Sequence, residues 1–332
     1  MSSIAAECGV THATVSNVLR NNLKVRIKQQ TRTTILQEAI RSGFHSRPDQ
    51  RIDAHKRQIA FIFLDTDFAY QGFSLYHALL QELKIREETY RYNIQPYGCE
   101  RDDLDKTLYK AVCEDKADAV LLSRYGGPEH INSLVARLPV PLIYLEDLKG
   151  LHCSSIGAKS DDIGKLAAEH LHLFGYRYFA SFGIKRTYTQ ERQKGFLQTL
   201  RALDIERDRI IELEDELTVI GGTTMTKALI SQKINEPIGI FCHSNLIAHG
   251  VLQACYDQKI SVNSRFGIVA GDDNEFCTYS HPTLTALNLN PAQHAETLLE
   301  MLKRTFNGGG KETHAITPSL IQRQSTKPLK SY

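Results

Sequence analysis

Ser3-Ile4-Ala5-Ala6-Glu7-Cys8-Gly9-Val10-Thr11-His12-Ala13-Thr14-Val15-Ser16-Asn17-Val18-Leu19-Arg20 spells a helix, a glycine turn and a second helix. Ser3 is placed to N-cap the first helix, and Ala5 is small enough for two helices to cross closely. Gly9 supplies the positive φ that a tight interhelical turn needs. Thr11 stands at the N-cap of the second helix, whose Val15, Val18 and Leu19 fall at i, i+3 and i+4 and form its apolar face. The opposite face carries His12, Ala13, Ser16, Asn17 and Arg20, short polar or basic groups of the kind that fit a DNA major groove. An ordinary helical hairpin in a larger core is the competing reading, but the outer face is too polar for burial.

Charge separates this head from the rest of the chain. Residues 1–57 hold ten Lys/Arg against four Asp/Glu, a surplus of six, whereas the whole chain carries only +2, so residues 58–332 are net −4. A basic head on an acidic body predicts one polyanion-binding module joined to a part with a different task. At 332 residues the chain has room for two or three domains, and 42% hydrophobic with 23% charged residues belongs to a globular protein. No run of about 18 apolar residues occurs, so no membrane span or membrane partner is expected. The first residues lack a basic start followed by an apolar run, so no secretory signal is expected and a cytoplasmic location is predicted. The seven cysteines are scattered without a Cys-x-x-Cys pair, which predicts free thiols, with no zinc site or other cofactor.

Beyond the hairpin, a third helix is predicted over Thr31 to Arg41, with Ile35, Leu36, Ala39 and Ile40 on one face and Gly43 ending it. Pro48 opens a charged stretch that reads as a linker. From Gln58 short apolar strands, the first at Ile59–Leu64, alternate with amphipathic helices as far as Pro291–Phe306. Regular βα alternation over this length predicts parallel sheets covered by helices, with ligands bound by the loops after strands.

Several stretches, in order, resemble the LacI/GalR family of transcriptional regulators over essentially the whole chain. They are Ala5-x-x-Cys8-Gly9-Val10-Thr11-x-x-Thr14-Val15-Ser16, Thr31-Arg32, Gly43-Phe44 with Pro48, and Ile163-Gly164-Lys165-Leu166-Ala167-Ala168-Glu169-His170-Leu171. Phe174-Gly175-Tyr176-Arg177, Arg192-x-x-Gly195-Phe196, Val269-x-x-Asp272-Asp273, Pro282-x-Leu284-Thr285 and Pro318-x-Leu320-Ile321-x-Arg323-x-Ser325-Thr326 follow. Leu19-Arg20-Asn21-Asn22 and Asp272-Asp273-Asn274-Glu275 are similar to xylose-regulator-like members.

The resemblance implies an all-α helix-turn-helix head on a two-lobed, periplasmic-binding-protein-like α/β body with two parallel sheets. The head would span residues 1–46 and a hinge 47–57. An effector-binding and dimerisation domain would span 58–332, with lobe 1 about 58–156 plus 286–314 and lobe 2 about 157–285 plus 315–326. It further implies a homodimer that binds operator DNA, most commonly as a repressor, and responds to a small molecule, usually a sugar, in the cleft between lobes. His12, Ala13 and Asn17 fall on base-reading positions, and Thr11, Thr14, Ser16 and Asn21 on phosphate-contact positions. Asn17 is suited to pair with adenine, where many members carry arginine. The hinge departs from the family: it is short, and His55 stands near the place of the residue that wedges into the minor groove. Either the wedge is absent or Ile52 takes its place.

A sugar site needs an aromatic face for the ring and carboxylates, amides or Arg for its hydroxyls. Arg192 and Asp272 match the family's polar pair, and Ser244 and Asn245 occupy the place of its usual Asn-Asp. Phe68 and Tyr70, after the first strand, are candidates for ring stacking, and Tyr125 and Glu146, after later strands, for completing the cleft. No nucleophile elbow, Walker loop, His-Glu-x-x-His or dinucleotide fingerprint occurs, so no enzyme is expected. The rival reading is a sugar-binding protein on the same scaffold with little specific DNA binding.

Overall fold

A computed structural model describes residues 1–44 apart from 21 and 23, then 56–64, 75–123, 125–146, 148–184 and 187–329. The chain forms two compact units, one of Met1–Gly157 with Ala292–Ala315, the other of Ala158–Pro291 with the chain from Ile316 on. The predicted linker, with Pro48, Ile52 and His55, lies almost wholly outside the described residues, and Arg57 already begins the first strand.

The first unit opens with α1 (Ser2–Glu7), α2 (His12–Leu19) and α3 (Gln29–Arg41). Gly9, at φ +61°, ends α1: its N–H reaches the Ala6 carbonyl, and the Val10 N–H reaches that of Ala5. Gly43, at φ +63°, ends α3 in the same way, with Phe44 N–H on the Ala39 carbonyl. Thr11 caps α2 as expected, its Oγ1 accepting the Thr14 N–H at 3.2 Å. Ser3 does not cap α1. The helix starts two residues earlier, at Ser2 behind Met1, so Ser3 lies within its first turn.

The unit's sheet holds β1 (Arg57–Leu64), β2 (Tyr92–Cys99), β3 (Ala119–Leu122), β4 (Leu142–Tyr144), β5 (Ser154–Ala158) and β11 (Thr313–Ile316) in the order β11-β5-β4-β3-β1-β2. Strands β1 to β5 pair in parallel. All four residues of β3 are buried, which is why it reads as an unbroken apolar run. Helices α4 (Leu75–Tyr90), α5 (Leu104–Tyr109) and α6 (Pro128–Arg137) connect these strands, and α5 continues into a π-helical turn at Lys110–Glu114. The head is not detached from this unit. Helix α3 packs on α5, the π turn and α6, and its Ile35, Leu36, Ala39 and Ile40 share one buried apolar cluster with Leu104, Leu108, Cys113 and Ile131.

The second unit's sheet holds β6 (Tyr178–Gly183), β7 (Ile210–Glu214), β8 (Ile238–Cys242), β9 (Phe266–Ala270), β10 (Thr285–Asn288) and β12 (Ser319–Ile321), ordered β12-β10-β9-β8-β6-β7. Two expectations need correction here. The sheet is not wholly parallel, because β12 runs antiparallel to β10 at the edge, where no helix-covered crossover is required. The chain also returns to the first unit later than residue 286: β10 pairs with β9 through Thr285 and Val269, which moves the crossing to Pro291 and Ala292.

Helices α7 (Ser160–Leu173), α8 (Thr187–Ala202), α9 (Val219–Ser231), α10 (Asn245–Asp257) and α11 (Glu275–Tyr279) belong to this unit, and α12 (Pro291–Phe306) leads back to the first. α7 meets α8 backbone to backbone: a Cβ on Gly164 would lie 1.9 Å from the Arg192 carbonyl oxygen, and one on Gly195 2.0 Å from that of Asp161. The tail locks onto the same unit through its Ser-Thr pair. Ser325 Oγ takes the Thr285 N–H at 2.8 Å, and Thr326 Oγ1 lies 2.8 Å from both Thr285 Oγ1 and His170 Nε2.

Candidate DNA-reading helix and effector site

Helix α2 buries Val15, Val18 and Leu19 and turns the rest of its surface outward. Thr11, His12 and Ala13 are exposed, and Thr14, Ser16 and Asn17 are half-buried. The short side chains expected at base edges and phosphates therefore share one open face. Asn17 is not a free amide: Asn22 Nδ2 donates to its Oδ1 at 3.0 Å, and Asn22 is itself held by the Lys24 N–H at 3.1 Å. Asn22 had no signal in the spacing of α2, because it acts from beyond the helix end. Asn21 lies outside the described residues.

In each sheet the strand order reverses beside the first strand of the unit, between β1 and β3 and between β6 and β8. Ligands of open parallel sheets bind at the carboxyl ends of strands near such points. In the second unit two of the predicted polar residues, Arg192 and Asp272, meet there. Arg192, on α8 after β6, is buried at 4% exposure. Its NH2 donates to Asp272 Oδ1 at 2.9 Å, and its NH1 to the carbonyl of His243, the residue after β8. Gly271 keeps this corner open, since a Cβ there would come within 2.6 Å of the His243 oxygen and 2.9 Å of Arg192 NH1. Asp273 points to a different partner, a bidentate pair with Arg323 at 2.8 and 2.9 Å.

Ser244 and Asn245 divide the work at the start of α10. Ser244 Oγ caps the helix by accepting the Leu246 N–H at 3.1 Å. Asn245 is fully buried, and neither atom of its amide has a hydrogen-bond partner among the described residues. An unsatisfied buried polar group costs about 1–3 kcal/mol, so the Asn245 amide is a candidate for a hydrogen bond to water or to a bound molecule.

The first unit contributes Tyr125 and Glu146 separately. Tyr144, at the end of β4, ties their loops together: its hydroxyl lies 3.1 Å from the Gly126 carbonyl oxygen and 3.2 Å from Glu146 Oε2. Tyr125 packs against the apolar cluster beneath the Arg101 guanidinium, which sits 5.7 Å from its ring centre. Phe68 and Tyr70 lie outside the described residues.

One buried residue near Arg192 escaped the sequence reading. His243 is 1% exposed, packs its ring at a tilt against Phe241, and bonds Ser181 Oγ at 2.8 Å through Nε2. Burial, helped by Arg192, pushes it down to about 3, and burial pushes His170 down to about 4. Unfolded histidine takes up its proton near pH 6.5, so below that pH the unfolded chain binds protons that the folded chain refuses. Stability therefore falls as the pH drops from about 6.5 toward 4, by on the order of 2 kcal/mol per histidine. Denaturant midpoints across this range check it. His243→Asn should flatten the slope, and an unchanged slope would remove His243 as a source of the acid sensitivity.

Among the described residues no His, Cys, Asp or Glu group is arranged to hold a metal, and no helix is long and apolar enough to cross a membrane.

Residues 168–326 match the model of a periplasmic binding protein-like domain. The chain is 22% identical over 339 residues to the transcriptional repressor PurR of Mannheimia succiniciproducens, covering 98% of both chains. In fold it is similar to the lac repressor dimer bound to operator and the anti-inducer ONPF, with a TM-score of 0.72, 18% identity and 98% of each chain covered. A LacI family regulator from Enterococcus faecium with bound ribose matches at a TM-score of 0.70 and 19% identity, over 82% of this chain and 100% of the other. With a helix-turn-helix head, a body of two α/β units and relatives aligned from end to end, the chain is similar throughout to transcriptional repressors of the LacI/GalR family.

Proposed function

We propose that the protein is a sequence-specific DNA-binding repressor whose hold on its operator is set by a small polyhydroxylated effector, most simply a sugar. The observation that carries this reading is the buried Arg192–Asp272 pair, in which Arg192 also holds the His243 carbonyl two residues before the unsatisfied amide of Asn245. A guanidinium, a carboxylate and an amide offer both donors and acceptors, which suits the hydroxyls of a sugar. The ribose held by the E. faecium regulator supports the same ligand class. The protein would act as a homodimer in the cytoplasm, placing two α2 helices on a pseudo-palindromic operator.

Selection of random duplex DNA by the purified protein, at two salt concentrations, tests the DNA half. Enrichment of a two-fold-symmetric site is expected. Steep salt sensitivity without enrichment would leave only non-specific binding by the basic head. Asn17→Ala should relax base preference at one position of each half-site, at a cost of about 1–3 kcal/mol. An equal loss on every sequence would take Asn17 out of the reading role.

A further inference from the structure

The contact between head and first unit joins three groups that the function above leaves unconnected. Gln37, on the polar side of α3, donates from Nε2 to Asp105 Oδ2 at 3.0 Å. Asp105, on α5, also pairs with Arg137 of α6, Oδ1 to NH1, at 2.9 Å. Cys113, in the π turn, is fully buried with its sulfur 3.7 Å from the Ala39 carbonyl of α3. Ile35 with Ala39 and Leu36 with Ile40 give α3 two adjacent apolar stripes, more than one seam requires, and all four side chains are buried. π turns recur at functional sites because they re-aim side chains within a helix.

The 3-10 turn Arg101–Asp103, which leads into α5, touches the loop after β3. Arg101, four residues before Asp105, donates to the Tyr125 carbonyl and covers the Tyr125 ring. Asp105 and Arg137 both act electrostatically on the Tyr125 hydroxyl. One helical turn thus holds the Tyr125 loop through Arg101 and the head through Asp105.

We propose that α3 docks the DNA-reading head on the first unit, and that Asp105 is the positioning residue that passes the state of the Tyr125 loop to the head. The docked head keeps His12 and Ala13 exposed, so the dock orients the reading face without covering it. An effector that draws on Tyr125 changes what Arg101 and Asp105 hold, and so shifts the balance between docked and released heads. This last step rests on Tyr125 belonging to the effector site; the dock does not.

A native thiol reports the dock without any ligand. The full-length protein is treated with N-ethylmaleimide and each cysteine is followed by mass spectrometry, with fully buried Cys242 of the second unit reporting global unfolding. In the wild type Cys113 should label as slowly as Cys242. Gln37→Ala and Asp105→Ala should speed Cys113 labelling about tenfold, the loss expected for a hydrogen bond to a charged group, and leave Cys242 unchanged. Tyr125→Ala should speed it severalfold, and should add nothing in an Asp105→Ala background, a coupling that mere loss of packing would not produce. Labelling of wild-type Cys113 as fast as half-buried Cys8, or no response to Gln37→Ala, overturns the dock. Additive effects of Tyr125→Ala and Asp105→Ala, or no effect of Tyr125→Ala, overturn the link to the loop. Operator selection is independent of both outcomes, so failure of the dock is distinguishable from failure of the repressor reading.

Discussion

Alanine at Gly164 is expected to destabilise the protein by about 3 kcal/mol and to weaken effector binding as well. The added methyl would lie 1.9 Å from the Arg192 carbonyl oxygen, 2.6 Å from the Phe196 nitrogen and 3.0 Å from the Arg192 carbonyl carbon. These are backbone atoms of α8, which cannot swing aside as a side-chain tip would. The helices must part by about 1 Å or more, and dense packing resists that opening. Overpacking ordinarily costs about 1–3 kcal/mol, and a clash of backbone with methyl belongs at the upper end. Because the struck residue is Arg192, its guanidinium is carried away from Asp272. Gly195→Ala should behave alike, since its methyl would meet Asp161 oxygen at 2.0 Å, whereas Gly310→Ala, with nothing within 4 Å, serves as a control. A denaturant midpoint for Gly164→Ala equal to that of the control would contradict this packing.

Arg192→Ala should abolish the effector response and leave operator binding intact. The substitution strips Asp272 of its cation and the His243 carbonyl of its donor, both within a corner that is largely closed to solvent. Removing one partner of a buried pair costs about 3–5 kcal/mol, and the lower end applies because the Asp272 side chain keeps 21% exposure. The larger effect falls on the ligand, which loses a charge-assisted donor and meets an unpaired carboxylate instead. A loss of about 2–5 kcal/mol in effector binding follows, enough to remove the response at ordinary concentrations. Helix α2 lies in the other compact unit, so its contacts are untouched. Operator binding by Arg192→Ala that still responds at wild-type effector concentrations would show that the site lies elsewhere.

The head was legible because its information is local. Gly9, Thr11 and the Val15, Val18, Leu19 stripe act within a few residues of each other, and each does in the structure what its type requires. Ser3 misled because capping depends on which residue precedes the first helical one, and that residue is Met1. The alternation of strands and helices predicted two sheets built mainly of parallel strands, yet not the antiparallel β12 or the second-unit membership of β10, since pairing direction and partner are set across the sheet.

The candidate effector residues were legible in part. Arg192 and Asp272 stand 80 positions apart and were linked only through the family resemblance, and the fold brings them within 2.9 Å. Gly164 and Gly195 sat in the same recognisable stretches, but their reason, two backbones in contact, exists only in three dimensions. His243, Asn22 and the Asp105 junction left no pattern, because each depends on a neighbour from another element. The split roles of Ser244, which caps a helix, and Asn245, which is buried unsatisfied, likewise follow from how α10 begins.

Retention of the selected duplex, measured by fluorescence anisotropy across a panel of pentoses, hexoses, disaccharides and nucleosides, compares the wild type with Arg192→Ala. At least one polyhydroxylated compound should change wild-type affinity by about fivefold or more, the usual scale of coupling between two sites, and should leave Arg192→Ala unmoved. No compound shifting the wild type, or equal shifts in both proteins, would contradict effector control through the Arg192–Asp272 corner.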